Sequence, residues 1–145
     1  MKLEIELVPS SCWYSNVRSN VPSSIWDIIR KKVYEDASHK CEICGRKGRL
    51  ECHEIWNYDD VHYIQKLTKM IALCSDCHSA KHIGLARIRG KYEKTTKHLS
   101  KINKISIEDV ALYIEVQFEI WSKRSAHKWT LDISALDNYT NKGEA

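Results

Sequence analysis

No apolar run in this chain approaches the roughly 18 residues that a membrane-crossing helix needs, which excludes a helical membrane protein. The N-terminal residues do not read as a secretory signal, so the expectation is a cytoplasmic protein of bacterial or phage style. In that compartment six cysteines are not a disulfide framework, and a chain of 145 residues with 43% hydrophobic content can build a modest core without staples. Proline and glycine are scarce, two and five respectively, so their positions act as punctuation. Pro9 stops an alternating run, while Gly45 and Gly48 sit where a tight turn is needed. Acidic residues are missing from one place in particular. Residues 81–104 hold eight Lys or Arg against Glu93 alone, a net +7 within a chain whose total is +4.

What is present gathers between Cys41 and His82. Two Cys-x-x-Cys pairs, Cys41/Cys44 and Cys74/Cys77, enclose 29 residues, and the second pair runs into His78-x-x-x-His82. Cys-x-x-Cys is the spacing at which one turn presents two sulfurs to a tetrahedral ion, so these four cysteines are candidate ligands of a structural Zn2+. Buried thiols or disulfides are the plainer alternatives. The enclosed stretch exceeds the 15 to 20 residues of the simplest paired-knuckle pattern, so something is inserted there. Arg49 to His53 alternates like the second strand of a hairpin turning near Lys47-Gly48. A helix beginning at Ser75 or Asp76 would put His78 and His82 on one face. With His53 from the strand end, three imidazoles would converge on a second divalent ion and leave coordination positions open.

The rest of the chain reads as flanking structure in a single domain spanning 1–145, with an N-terminal strand and helix over 1–40, the metal module over 41–83 and a helical extension over 84–145. Leu3, Ile5 and Leu7 alternate with Lys2, Glu4 and Glu6, as do Trp129, Leu131 and Ile133 with their neighbours, which suggests two paired terminal strands. Ser24 reads as the N-cap of a helix running to about Ser38, with Ile25, Ile28, Ile29 and Val33 inward. Tyr92, Thr95 or Thr96, Leu99 and Ile102 mark a helix ending near Asn103. Ser106 then caps a longer one to about Ser125, with Val110, Ile114, Phe118 and Trp121 on one side. Trp13, Tyr14 and Arg18 are either core residues or a platform for bases. Cys12 and Cys52 are taken as buried small apolar residues. The tail after Asp137 reads as frayed.

Cys41-x-x-Cys44, Leu50-Glu51-Cys52-His53-Glu54-Ile55 and Leu73-Cys74-x-x-Cys77-His78-x-x-x-His82 together resemble the HNH endonucleases, the treble-clef or ββα-metal nucleases in which a hairpin and a helix clasp one divalent ion. The resemblance covers residues 41–82. It implies an α+β fold, a zinc-stabilised treble-clef core with flanking helices and short terminal strands. It further implies that His53, His78 and His82 hold the catalytic ion, whether Zn2+, Ni2+, Mn2+ or Mg2+. The residue after the first ligand is usually a His acting as general base, and here it is Glu54; Thr68-Lys69 stands where a middle Asn is expected. A carboxylate ionised at pH 7 can accept a proton, but Glu54 reaches the ion only if the strand ends or bulges at His53. The loop formers from Trp56 to His62 favour such an ending and offer Asp59, Asp60 and His62 as rival bases.

These readings lead to a metal-dependent endonuclease hydrolysing phosphodiester bonds in DNA. Its catalytic group would be His53, Glu54, His78 and His82. Its phosphate-binding surface would be Lys81, Arg87, Arg89, Lys91, Lys94, Lys97 and Lys101, because one-sign charge segregation suits a nucleic-acid backbone. The alternative is a catalytically impaired zinc module that binds nucleic acid or a protein partner. A partner-gated defence nuclease or a homodimer fits the same residues.

Overall fold

The computed structural model describes residues 1–13 and 15–140. Tyr14, and the part of the tail expected to fray beyond residue 140, lie outside them. The fold is mixed α and β, built on a three-stranded sheet in the order β1-β2-β3. Strand β1 (Glu51–Asp59) and β2 (Ile64–Leu73) form one long antiparallel hairpin, and β3 (Thr130–Asp132) adds parallel to β2. Before the hairpin come α1 (Val17–Asn20) and α2 (Ser23–Asp36). After it come α3 (Ser75–Lys81), α4 (Ile83–Ile88), α5 (Tyr92–Asn103) and α6 (Ile107–Ser125), then β3 and a last turn, α7 (Asp137–Thr140).

The sheet is covered on both faces. Residues one apart on β2 feed different cores: Ile71 and Leu73 pack with Ile83, Leu99, Val110 and Ile114, while Met70 and Ala72 pack with Val17, Ile29 and Val33. This is the period-two alternation of a pleated strand acting on two apolar layers at once. Helix α6 carries its own start and stop signals. The Ser106 hydroxyl accepts the Asp109 N–H at 3.1 Å, acids occupy the first turn, and Lys123 and Arg124 occupy the last.

Several expectations need correcting. Residues 3–7 are not a strand and do not meet the C-terminal one. Leu3 and Ile5 are buried as the alternation requires, but their backbone groups go to side chains: Leu3 N to Asn103 Oδ1 and Ile5 N to the Tyr113 hydroxyl, each 2.8 Å. The backbone is satisfied without a sheet partner. The partner of β3 is β2 instead. Helix α2 starts at Ser23 behind Pro22 with no side-chain cap, and Ile28 is 55% exposed rather than inward. The largest revision concerns β1. It does not end at His53 but runs through Trp56-Asn57-Tyr58 to Asp59, because those residues pair with Leu67, Lys66 and Gln65 across the hairpin. Its one irregularity lies between Ile55 and Trp56, where Thr68 is skipped and donates its hydroxyl to Ile55 O at 3.0 Å.

Candidate metal centres

The first knuckle folds around Cys41. Its N–H bonds Arg46 O and its carbonyl accepts the Gly45 N–H, both at 2.9 Å, with Gly45 at φ +77°, a conformation a side chain would strain. Glu42 stitches the knuckle to β2 through its N–H to Ala72 O at 2.9 Å and its carboxylate to Ala72 N at 2.6 Å. The second knuckle is the start of α3, where Cys74 is the N-cap and its sulfur accepts the Cys77 N–H at 3.5 Å. The sulfurs of Cys41, Cys44, Cys74 and Cys77 all lie within 4.8 Å of one another. The 3.7 Å between Cys44 Sγ and Cys74 Sγ matches the edge of about 3.8 Å of a tetrahedron with 2.3 Å metal–sulfur bonds. These four cysteines can therefore hold a structural metal such as zinc. Burial works against ionising Cys41, but the N–H groups of Cys44, Cys74 and Ile43 outweigh it and bring the thiol down to about 7. His98 on α5 stands 3.2 Å from the Cys77 sulfur, a neighbour that spacing alone did not suggest.

The second cluster joins β1 to α3. One ring nitrogen each from His53, His78 and His82 lie within 4.8 Å of one another, and the three rings stand edge to face at 4.8 to 5.2 Å. Two of the rings are oriented by carboxylates. Glu51, two residues before His53 on the same strand face, sits 2.7 Å from His78 Nδ1. Glu6, from the N-terminal segment, sits 2.6 Å from His53 Nε2, and the same oxygen receives Lys81 Nζ at 3.0 Å. With Nδ1 of His78 and Nε2 of His53 engaged by carboxylates, each ring keeps a second nitrogen, which is the division that a carboxylate–histidine–metal arrangement requires. Burial keeps His53 and His82 neutral, the ligand form; with the neighbouring imidazoles it pushes His82 down to about 3. Burial opposes charge on Glu6, yet the hydrogen bond from His53 and the ammonium of Lys81 prevail and hold its carboxyl below the usual value.

Glu6 was not foreseen as part of the site. Its signal is faint, an acid at an alternating position in a segment expected to be a half-buried strand. Glu54, which was foreseen, goes elsewhere. On an uninterrupted strand it faces the opposite way from His53, and its Oε1 accepts the Val17 N–H at 3.0 Å, tying β1 to α1. Burial raises its carboxyl, the Val17 and Arg18 N–H groups only partly offsetting this. Asp59, Asp60 and His62 lie at the hairpin turn, about 20 Å along the strand from His53 at 3.3 Å per residue. There Asp59 binds His62 at 2.9 Å and Asp60 binds Arg124 at 2.9 Å.

The basic segment divides. Lys81 is 7% exposed against Glu6, so it is not on offer to a phosphate. Arg87 lies over the Tyr92 and Phe118 rings at 4.8 and 5.1 Å. Lys94 and Lys97 face solvent with acidic neighbours, Asp76 at 3.5 Å and Glu93 at 3.1 Å, and Lys101 is exposed on α5. Arg89 and Lys91 instead join Arg18, Arg30 and Arg49 around a groove of about 750 Å³ that reaches His78 and His82. Those three arginines come from α1, α2 and the loop before β1, too far apart in sequence to register as a charge run.

A larger cavity of about 1020 Å³ meets the same histidines along the open edge of β1. Among the described residues no helix is long and apolar enough to cross a membrane. No family model, curated protein or solved structure matches the chain.

Proposed function

We propose that this chain is a metal-dependent endonuclease of the HNH type, with a treble-clef core, acting on phosphodiester bonds in DNA. The observation that supports it is the convergence of His53, His78 and His82 from a strand and a short helix, beside a four-cysteine cage that draws Cys74 and Cys77 from the start of the same helix. A divalent ion at the imidazoles would supply Lewis-acid polarisation of the phosphate and stabilise the charge developing on the departing oxygen. The chain's own residues set the stage. Glu51 and Glu6 fix two of the rings, and Lys81 offsets part of the negative charge beside His53. The groove beside the centre is lined by Arg18, Arg30, Arg49, Arg89 and Lys91 against Asp27, which pairs with Arg30 at 2.9 Å, and Glu51, an excess of cations suited to a phosphate backbone. Imidazole donors favour zinc or nickel over magnesium.

The test is nicking of supercoiled plasmid by wild type, His53→Ala and His82→Ala in Zn2+, Ni2+, Mn2+ and Mg2+. Loss of a ligand should lower cleavage by at least about a hundredfold, the several kcal/mol that such an ion contributes. Equal activity in all three proteins would leave the reaction without its centre.

A second reading, a zinc module that binds nucleic acid without cutting it, draws on a specific observation. Glu6, Glu51 and Glu54 each already hold a hydrogen-bond partner, so no unengaged carboxylate stands among them to take a proton. Clean wild type that binds DNA and cuts none of it with any of the four ions would select this reading.

A further inference from the structure

The cavity beside the imidazoles is unlike the basic groove that joins it. It follows the outer edge of β1 beneath the N-terminal segment and draws walls from both faces of the sheet, with Trp13, Trp26, Trp56 and Trp121 among them. Trp13 is 60% exposed, an indole left open to solvent at the rim. The residues lining the cavity also include Gln65 and Tyr58, which pair across the hairpin. Among the described residues, the only buried side-chain polar atoms without a hydrogen-bond partner are both amide atoms of Gln65 and the hydroxyl of Tyr58. Gln65 is fully buried. A buried amide with neither donor nor acceptor satisfied is costly to the fold, and a planar ligand with a polar edge would relieve that cost.

We infer that this cavity receives an unpaired base of a single DNA strand, its face against the indoles and its edge toward Gln65 and Tyr58, while the flanking phosphates follow the arginine groove across His53, His78 and His82. The inference rests on the nuclease reading for the identity of the polymer. The observations favour a single strand over a duplex for a simple reason. Paired and stacked bases keep their faces inside the helix, so a recess walled by indoles has nothing to stack on until a base leaves the stack. The two recesses share Arg18, Trp26, Cys52, His78, His82 and Leu85, so base site and phosphate track meet at the imidazoles. Gln65 offers a donor and an acceptor side by side, the pattern that reads a base edge.

The experiment measures binding and cutting separately on the zinc-loaded full chain. Binding is read by anisotropy of labelled oligothymidylate, of the same strand with abasic sites, and of a duplex of equal length, at one fixed salt concentration; cutting is read on gels. The intact strand should bind at least about tenfold tighter than either competitor, as expected for one or more stacked bases. Trp13→Ala should weaken the strand about five- to a hundredfold, and Trp13→Phe should recover most of it. Gln65→Leu should weaken the strand and flatten any preference among bases while leaving thermal stability unchanged or raised. A merely structural Gln65 would change stability without touching affinity. Duplex binding as tight as the strand, indifference to abasic sites, or no strand binding would overturn the inference even if plasmid is nicked. The predicted order of affinities with no cutting of any substrate would uphold it while removing the nuclease.

Discussion

The two ligand clusters share helix α3, which carries part of each, and differ in almost every physical respect. The sulfur cage is closed: four thiols on two knuckles, tied to β2 through Glu42, can supply all four ligands of a tetrahedral ion. The imidazole cluster has three protein donors, two of them braced by carboxylates, and it faces two recesses. A closed set suits a metal that holds the fold, and an open set suits a metal that meets a substrate. Position in the chain does not separate them, since Cys77 and His78 are neighbours. The surroundings do.

The sharpest way to break this contrast is to remove one ligand from each. Cys44→Ala should unfold residues 41–83, because apparent zinc binding of about 10–16 kcal/mol rivals the whole stability of a small domain, about 5–15 kcal/mol. Circular dichroism and zinc content should fall together. His53→Ala should instead lose one metal equivalent and keep its secondary structure. If both variants collapse alike, the imidazole cluster is structural too.

Next in size, Glu51→Gln and Glu6→Gln should each weaken metal binding at the imidazoles about 10- to 100-fold and leave the cage filled, as measured by competitive chelator titration. Equal loss at both centres would mean the carboxylates hold the fold rather than the rings.

Acid should then act on the imidazole cluster of a protein that holds its cage metal and has the second site empty. His53 and His82 titrate lower when folded than when unfolded, so the unfolded chain binds more protons between about pH 6.5 and His82's value of about 3. Their contribution to stability is complete above about pH 6.5 and is lost as pH falls toward about 3, by a few kcal/mol at most. The midpoint of urea unfolding against pH reads this directly, and His82→Asn should flatten it. An unchanged slope in that variant would move the titration elsewhere.

The smallest effect is expected at Glu54. Glu54→Gln keeps an oxygen for Val17 N–H, so both metals should remain and cleavage should change less than about threefold. A loss of about 10² to 10⁴, the size of general-base catalysis, would return Glu54 to the reaction.

Much of this was legible in the residues themselves. Helix α5 ends where its apolar spacing puts it, α6 runs from its Ser106 cap to Ser125, and the two knuckles and the His78-x-x-x-His82 turn came from local spacing alone. The length of β1 was not legible. Trp56-Asn57-Tyr58-Asp59 has loop-forming composition, and only pairing with β2 made it strand. Local propensity lost to a tertiary partner. That single extension turned Glu54 away from His53 and carried Asp59 and His62 to the far turn.

Spacing by itself determined which side chains are chemically able to hold metals, since ligand geometry over a turn or a knuckle is set by a few consecutive residues. Which groups surround them was settled only by the fold. Glu6 reaches His53 from 47 positions away. Arg18, Arg30 and Arg49 share a groove with Arg89 and Lys91, and Gln65 lies buried without a hydrogen-bond partner in the lining of a cavity that four tryptophans also line. Each of these depends on contacts between segments distant in the chain, and no short window of residues encodes such a contact.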